Sequence, residues 1–180
     1  MIRFENVDFL FGSGDGGPSV IEGFNLAIAK GEFHLLLGPS GCGKTTALNL
    51  LAGFETSTRG RVVVDGREVT APGRDRMVIF QGDDSLYPWL TALENVEFGL
   101  RVEGVPRAAR RDKAMEYIEL VGLAGHEQKF PAELSGGMKQ RIQIARALVC
   151  QSPILLMDEP FAALDAQTRS ILQEELTLIW

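Results

Sequence analysis

Residues 38–46 read Gly-Pro-Ser-Gly-Cys-Gly-Lys-Thr-Thr, which fits the phosphate-loop pattern of glycine, four residues, glycine, lysine and serine or threonine. An apolar run at 33–37 precedes the stretch and a helix-forming run at 47–52 follows it, as the pattern requires. Its glycines permit a tight turn with inward N–H groups, and the following helix N-terminus favours an anion. The stretch therefore predicts binding of a nucleoside triphosphate rather than a glycine-rich turn without a ligand.

Three side chains of this loop carry specific expectations. Lys44 is expected to reach the β- and γ-phosphates, and the hydroxyl of Thr45 to help hold Mg²⁺. Cys42 is interpreted as a small tolerated side chain, although a thiol beside a helix N-terminus can also act as a redox switch. The predicted nucleotide-binding residues of the loop are Gly38, Pro39, Ser40, Gly41, Cys42, Gly43, Lys44, Thr45 and Thr46.

The composition favours a cytosolic globular protein. The chain has 180 residues, of which 45% are hydrophobic, enough for a sizeable core. Its formal net charge of −6 argues against a nucleic-acid partner. No apolar stretch approaches the roughly 18–20 residues of a membrane helix, and the N-terminus lacks the apolar core of a signal peptide. The two cysteines form neither a disulfide framework nor a metal-site pattern.

The order of predicted elements indicates an α/β fold, in which a strand-rich core carries a helical insertion between about residues 85 and 135. Strands are predicted at 2–10, 20–29, 33–37, 77–80 and 154–157, with a hairpin over 61–69 that turns at Asp65 and Gly66. Helices are predicted at 47–52, 91–100, 108–121 and 136–150, with a last one that Asp165 caps.

A pair of carboxylates follows the apolar run at 154–157, where Pro160 stops the strand. In open α/β sheets, ligands bind beyond the carboxyl ends of the strands, so this pair is expected near the phosphate loop. Asp158 suits Mg²⁺, directly or through water, and Glu159 suits orientation or deprotonation of an attacking water. The alternative is a solvated acidic loop, which the lysine of the phosphate loop disfavours.

A second candidate anion site lies at residues 134–141, which read Leu-Ser-Gly-Gly-Met-Lys-Gln-Arg. Ser135 is predicted to cap a helix that two glycines open, so that its first N–H groups remain accessible to an anion. A helix cap alone would explain Ser135 but not the glycine pair, because glycine in a first helical turn costs stability.

These motifs, in this order, resemble the ATP-binding subunits of ABC transporters over essentially the whole chain. Residues 38–46 match the Walker A motif, 134–141 the ABC signature and 154–160 the Walker B motif. The resemblance implies a P-loop NTPase fold of the ABC type over residues 1–180, with the helical subdomain at about 85–135.

The resemblance also assigns roles to residues outside these motifs. Gln81 stands at the Q-loop position, where glutamine contacts Mg²⁺ and water and senses the membrane subunit. Asp165 belongs to the D-loop at 163–165. Phe11 stands where an aromatic side chain stacks on adenine, here phenylalanine rather than the commoner tyrosine.

The resemblance further implies ATP hydrolysis with Mg²⁺ by a head-to-tail homodimer that sandwiches two ATP molecules. The implied catalytic residues are Glu159 and Gln81, and the implied metal-binding residues are Thr45, Gln81 and Asp158. The signature residues implied to act on the partner's nucleotide are Ser135, Gly136, Gly137 and Gln140. The implied partners are transmembrane permease subunits and, indirectly, a solute-binding protein. The subunit is thus expected in the cytoplasm, peripheral on the inner face of the cell membrane.

Residues 85–96 indicate a subfamily, since they are similar to the Leu-Leu-Pro-Trp segment of the nitrate, sulfonate and taurine importer ATPases. Taurine import is the best match among them, which implies import of a small anionic solute of this class. Plain loop packing is the alternative interpretation of Tyr87 and Trp89.

One feature of the family is missing from this sequence. The switch histidine of ABC ATPases is expected shortly beyond Trp180, which indicates a domain that is incomplete at its C-terminus. The alternatives left open are a nucleotide-binding fragment without turnover, a non-transport ABC ATPase and a P-loop GTPase. The signature motif and Phe11 argue against the GTPase, and the lack of room for long insertions argues against the non-transport ATPase.

Overall fold

The computed structural model describes residues 1–10, 19–80, 85–161 and 165–179. Two of the predicted site residues, Phe11 and Gln81, lie outside the described residues, as do the tip at 12–18 and D-loop residues 163 and 164. The chain divides into two compact units, Met1–Arg76 and Met77–Trp180. The division into one domain with a helical subdomain stays a prediction.

The described residues of the first unit form an antiparallel sheet of four strands. These strands are β1 (Ile2–Leu10), β2 (Ser19–Ile28), β3 (Arg59–Val64) and β4 (Arg67–Glu68), in the spatial order β2-β1-β3-β4. Along β1 the buried side chains are Ile2 and Phe4, then Val7 and Phe9. The change of phase coincides with a register shift after Phe4 and with a left-handed backbone at Asn6 (φ 48°), which is consistent with a β-bulge.

The predicted hairpin is confirmed. Strands β3 and β4 pair antiparallel, and the connecting residues Asp65 (φ 47°) and Gly66 (φ 80°) both have positive φ. Asp-Gly is a favoured pair for such a two-residue turn, because both positions need the left-handed conformation. This local sequence signal therefore fixed the turn.

Helix α1 (Lys44–Ala52) follows the phosphate loop and ends at Gly53. The N–H of Gly53 bonds to the carbonyl oxygens of Asn49 and Leu50, with Gly53 in the left-handed conformation (φ 83°). A Cβ atom at this position would lie 2.3 Å from the carbonyl oxygen of Ala71. Glycine is therefore required here both by conformation and by space.

The apolar run at 33–37 differs from its prediction, since it forms no strand in the structure. Phe33, Leu35 and Leu37 are exposed (67%, 65% and 84%). A buried parallel strand needs neighbouring strands to pair with, and the antiparallel sheet of the first unit does not include this run. The prediction relied on hydrophobicity alone, and no strand forms at 33–37 because no strand among the described residues pairs with this run.

The described residues of the second unit form four helices and two strands. These are β5 (Arg76–Ile79), α2 (Ala92–Val102), α3 (Arg107–Leu120), α4 (Gly136–Leu148), β6 (Ile154–Met157) and α5 (Ala166–Ile179), with a 3-10 turn at Pro131–Glu133. Strands β5 and β6 pair with each other. Each of these helices and strands was predicted to within a few residues.

Helices α2, α3 and α4 enclose the core of the second unit, with Val96, Ile118 and Ile142 fully buried. A capping box begins α2: the Thr91 hydroxyl accepts from the N–H of Glu94 at 3.2 Å, and the Glu94 carboxylate accepts from the N–H of Thr91 at 2.9 Å. This packing supports α4, whose N-terminus and buried face belong to the candidate site.

Candidate nucleotide-binding site

The phosphate loop turns through two glycines in the left-handed region, Gly41 (φ 82°) and Gly43 (φ 93°). Gly43 is the N-cap of α1 and accepts a 2.8 Å hydrogen bond from the N–H of Ala47. A Cβ atom at residue 43 would lie 3.2 Å from both the carbonyl oxygen of Val20 and the side chain of Ile21 in β2. Any other residue at this position would be strained and crowded at once.

Lys44 is the first residue of α1, and its side chain folds back over the loop. The Nζ atom donates hydrogen bonds to the carbonyl oxygens of Gly38 and Pro39, each at 2.9 Å, and lies 4.0 Å from the sulfur of Cys42. Its positive charge therefore lies beside the positive end of the helix dipole. Two positive features converge on one loop, which favours a polyanion there.

The loop's two threonines differ in exposure. Thr45 is exposed in the first turn of α1, whereas Thr46 is only 9% exposed. Cys42 is exposed, and a Cβ atom at Gly38 would lie 2.6 Å from its sulfur. Glycine at residue 38 thus lets the loop close against Cys42.

The two predicted acidic residues follow β6 in the second unit. The N–H of Asp158 donates to the carbonyl oxygen of Ile79 at 3.0 Å, which ties the end of β6 to β5. Asp158 is partly buried and Glu159 is exposed. The backbone of Glu159 is left-handed, with φ 48°. The chain direction therefore turns sharply just after the strand.

Ser135 is the N-cap of α4, as predicted. Its hydroxyl accepts from the N–H of Met138 at 3.3 Å, and its carbonyl accepts from the N–H of Lys139 at 2.9 Å. Ser135 is exposed, and Gly136 and Gly137 form the first turn. Because the first turn of α4 consists of small residues, an anion can approach the N–H groups at this end of the helix.

Gln140 has a contact that the sequence did not predict. Its side chain is almost fully buried (1% exposed), and its Nε2 donates to the carbonyl oxygen of Pro160. The sequence indicated only a role toward a partner's nucleotide. Gln140 precedes the buried Ile144 by one turn on the same helix face, so helical periodicity could have revealed its burial but not its partner.

Asp165 directly precedes α5, and its carbonyl accepts from the N–H of Arg169 at 2.9 Å. The predicted start of the last helix is thereby confirmed. Asp165 is exposed. Its D-loop role stays a prediction.

The two aromatic residues of the 85–96 segment differ in their surroundings: Tyr87 packs against other side chains, whereas Trp89 is largely exposed to solvent. The Tyr87 ring lies 4.6 Å from that of Phe98 and 5.5 Å from that of Trp89, and the guanidinium of Arg146 lies 5.7 Å from its centre. Trp89 is 69% exposed. Loop packing therefore accounts for Tyr87, while most of Trp89 faces solvent.

Two polar residues that the sequence reasoning missed hold this segment. Asn95 is fully buried, accepts from the N–H of Tyr87 at 2.8 Å and donates to the carbonyl oxygens of Tyr87, Leu90 and Thr91. Arg146 donates to the carbonyl and hydroxyl oxygens of Ser85 at 2.8 and 3.0 Å. The sequence feature that could have revealed them is a polar residue at a position where the helical periodicity of α2 or α4 predicts burial.

The described residues contain neither a membrane-spanning helix nor a cluster of metal-binding side chains. None of the described helices has the length and apolar character needed to cross a bilayer. Among the same residues, no three His, Cys, Asp or Glu side chains cluster so as to bind a metal ion by themselves.

A glycine loop that closes on its own lysine at a helix N-terminus is the hallmark of P-loop nucleotide-binding proteins. Comparison with known proteins agrees, because residues 21–162 match the ABC transporter family. Two solved dimeric structures of the bacterial ABC transporter cassette MJ0796, one of them bound to ADP and Pi, superpose with TM-scores of 0.90 and 0.88. Both are 34% identical and cover 99% of this chain and 82% of that cassette.

Curated relatives are more similar in sequence. The taurine import ATP-binding protein TauB of Burkholderia pseudomallei (strain K96243) is 49% identical over 98% of this chain and 67% of that protein. The nitrate import ATP-binding protein NrtD of Synechocystis sp. is 48% identical over 92% of this chain and 62% of that protein. The chain thus spans about two thirds of the length of these relatives.

The chain belongs to the ABC transporter family of ATPases. The predicted family and α/β fold class are confirmed, and so is ATP as the nucleotide of the family.

Proposed function

We propose that this protein binds ATP at residues 38–46 and hydrolyses it to energise import of a small anionic solute through partner membrane subunits. The observation that carries the proposal is the position of Lys44, whose ammonium is held by Gly38 and Pro39 at the N-terminus of α1. A fixed cation and a helix dipole together suit the β- and γ-phosphates of a nucleoside triphosphate.

The donors proposed for Mg²⁺ fit its chemistry. The hydroxyl of Thr45 and the carboxylate of Asp158 would both be oxygen ligands, which Mg²⁺ prefers. The ion commonly needs only one or two protein ligands besides phosphate and water. The side-chain oxygen of Gln81 would add another. When bound, the ion neutralises charge on the phosphates. Phe11 would stack on the adenine.

Glu159 is proposed as the general base for the attacking water. Its side chain is exposed at the end of β6, directly after Asp158, so a water can reach the carboxylate. Asp158 is tied to β5 through Ile79, which gives the acidic pair a defined backbone position. A general base contributes about 10²–10⁴-fold to a rate.

A substitution of this carboxylate tests the hydrolytic function. Glu159→Gln keeps the shape and loses the base, so ATP binding should persist while turnover falls by about 10²–10⁴-fold. Glu116→Gln is the matched control, because Glu116 is exposed on α3. Steady-state phosphate release measures both variants. Turnover by Glu159→Gln close to that of the parent would show that another residue is the base.

The working unit is proposed to be a head-to-tail homodimer. Ser135, Gly136 and Gly137 would contact the γ-phosphate held in the partner's loop, using the open N-terminus of α4. Support comes from MJ0796, a cassette of the same family that was solved as a dimer. In a membrane complex the subunit would lie on the inner face of the cell membrane and contact permease subunits, with Gln81 as the sensor.

The proposed solutes are nitrate, sulfonates and taurine. The similarity to TauB and NrtD supports this class. A solute-binding protein and the permease would select the solute itself.

Uptake of labelled nitrate, taurine and an alkanesulfonate by cells lacking this gene tests the transport role. Loss of one uptake activity, restored by the native gene but not by one encoding Lys44→Ala, is the expected result. Normal uptake of every tested solute in the deletion strain would contradict the proposed class.

A further inference from the structure

We propose that Gln140 is a positioning residue for hydrolysis, which acts within its own subunit by fixing the backbone that presents Glu159. The proposal deepens the function proposed above and rests on the role given there to Glu159. Its basis is one hydrogen bond, from the buried amide of Gln140 in α4 to the carbonyl oxygen of Pro160.

Glu159 needs such support because its backbone conformation is unfavourable. Its φ of 48° lies in the left-handed region, which costs energy for any residue with a Cβ atom. Asn6, Asp65 and Gln151 share this conformation, which the short polar side chains of asparagine and aspartate tolerate better than the longer ones of glutamine and glutamate do. A strained residue persists only where the surrounding structure holds it in place.

Hydrogen bonds hold the backbone on both sides of Glu159. On the N-terminal side, the N–H of Asp158 donates to the carbonyl oxygen of Ile79 at 3.0 Å. On the C-terminal side, Pro160 has no N–H, so its carbonyl oxygen is the only backbone group that can hold it by hydrogen bonding. The side-chain amide of Gln140 donates a hydrogen bond to that carbonyl oxygen. The residues on both sides of Glu159 are thus held by hydrogen bonds.

The environment of Gln140 indicates that this bond orients its amide. The side chain is 1% exposed, and among the described residues its Oε1 atom has no hydrogen-bond partner. A buried amide with an unsatisfied oxygen is costly, so apolar packing does not explain a glutamine at this position. The bond to Pro160 is what the amide provides.

The same helix connects two parts of the proposed mechanism. Helix α4 begins at the Ser135 cap, and Gln140 lies in its second turn. The helix that begins at the proposed contact with the partner's nucleotide is therefore hydrogen-bonded, through Gln140, to the loop that carries the base of its own subunit. A displacement of α4 would change the position of Glu159 through Gln140.

Two substitutions separate positioning from packing. Gln140→Met keeps length and burial but removes the donor, so we expect kcat to fall about 10- to 100-fold with unchanged affinity for a labelled ATP analogue. Gln140→Glu offers an O–H donor only when its carboxyl is protonated, and burial raises the pKa of that carboxyl. Its kcat, relative to the native protein at the same pH, should therefore rise as the pH falls, while the relative kcat of Gln140→Met stays flat.

Hydrogen exchange provides a readout that does not need turnover. In Gln140→Met the amides of Glu159 and Phe161 should exchange faster than in the native protein, with those of α2 unchanged. Native turnover by Gln140→Met, a pH-independent defect of Gln140→Glu, or unchanged exchange at Glu159 would each overturn the proposal. An inactive native protein would instead count against hydrolysis by residues 1–180, and exchange would still decide whether Gln140 holds the backbone of Glu159.

Discussion

The Nζ atom of Lys44 lies 2.9 Å from the carbonyl oxygen of Gly38, so the phosphate loop holds its own lysine. A second bond of the same length, to Pro39, fixes the ammonium further. A free lysine side chain carries about 2 kcal/mol of conformational entropy, which a ligand would otherwise have to remove. The loop thus presents its cation in a partly ordered position.

Gly43 should be the glycine of the loop that tolerates substitution least. Gly43→Ala introduces a Cβ atom at φ 93°, only 3.2 Å from Val20 and Ile21, so strain and crowding add. Gly31→Ala is the matched control, because φ is 78° there and the space is open. The left-handed strain alone costs about 1–2 kcal/mol.

Urea unfolding and nucleotide titration of both variants check this prediction. The free energy of unfolding should fall further in Gly43→Ala than in Gly31→Ala, and only Gly43→Ala should lose affinity for ATP. Equal destabilisation of the two variants would mean that the contact with β2 does not constrain residue 43.

The two cysteines should report on occupancy of the loop by nucleotide. Cys42 is exposed, whereas Cys150 is partly buried and burial raises the pKa of its thiol. Because the thiolate is the reactive form, Cys150 should react slowly at neutral pH and faster as the pH rises toward its raised pKa. Iodoacetamide should therefore modify Cys42 first.

Saturating ATP with Mg²⁺ should protect Cys42 and leave the slow modification of Cys150 unchanged, so Cys150 serves as the internal control. Mass spectrometry of the alkylated peptides measures both sites. Modification of Cys42 at the same rate with and without ATP would place the nucleotide away from this loop.

The start of α4 should be required for dimer formation but not for nucleotide binding by one subunit. Ser135→Arg places a large cation where the partner's γ-phosphate is proposed to bind, so dimers formed with a non-hydrolysable ATP analogue should disappear. Ser135→Ala is the control, since it removes only the helix cap, at a cost of about 1 kcal/mol. Sedimentation velocity distinguishes the two, and undiminished dimers of Ser135→Arg would exclude this interface.

Elements coded by short-range signals were predictable from the sequence. The Asp65-Gly66 pair specified the hairpin, Ser135 specified the start of α4, and the loop glycines specified the turn before α1. Each signal acts within a few residues, through a positive φ or a local hydrogen bond.

Features that depend on distant partners were not predictable in this way. The apolar run at 33–37 has a strand-like composition, yet a strand forms only when another strand pairs with it, and all of its residues except Leu36 are exposed. The bond from Gln140 to Pro160 joins residues 20 positions apart, so no local pattern could predict it. The motifs therefore identified the candidate site residues, whereas the contacts that hold those residues in place could be found only from the structure.

Titration of a labelled ATP analogue against native protein, Lys44→Ala and Lys30→Ala tests the central claim most directly. Lys30 is an exposed lysine outside the loop and controls for loss of charge. A charge-assisted hydrogen bond contributes about 1.5–3 kcal/mol, so Lys44→Ala should bind about 10- to 100-fold more weakly while Lys30→Ala binds normally. Equal affinity of Lys44→Ala and the native protein would contradict the assignment of residues 38–46 as the nucleotide-binding loop.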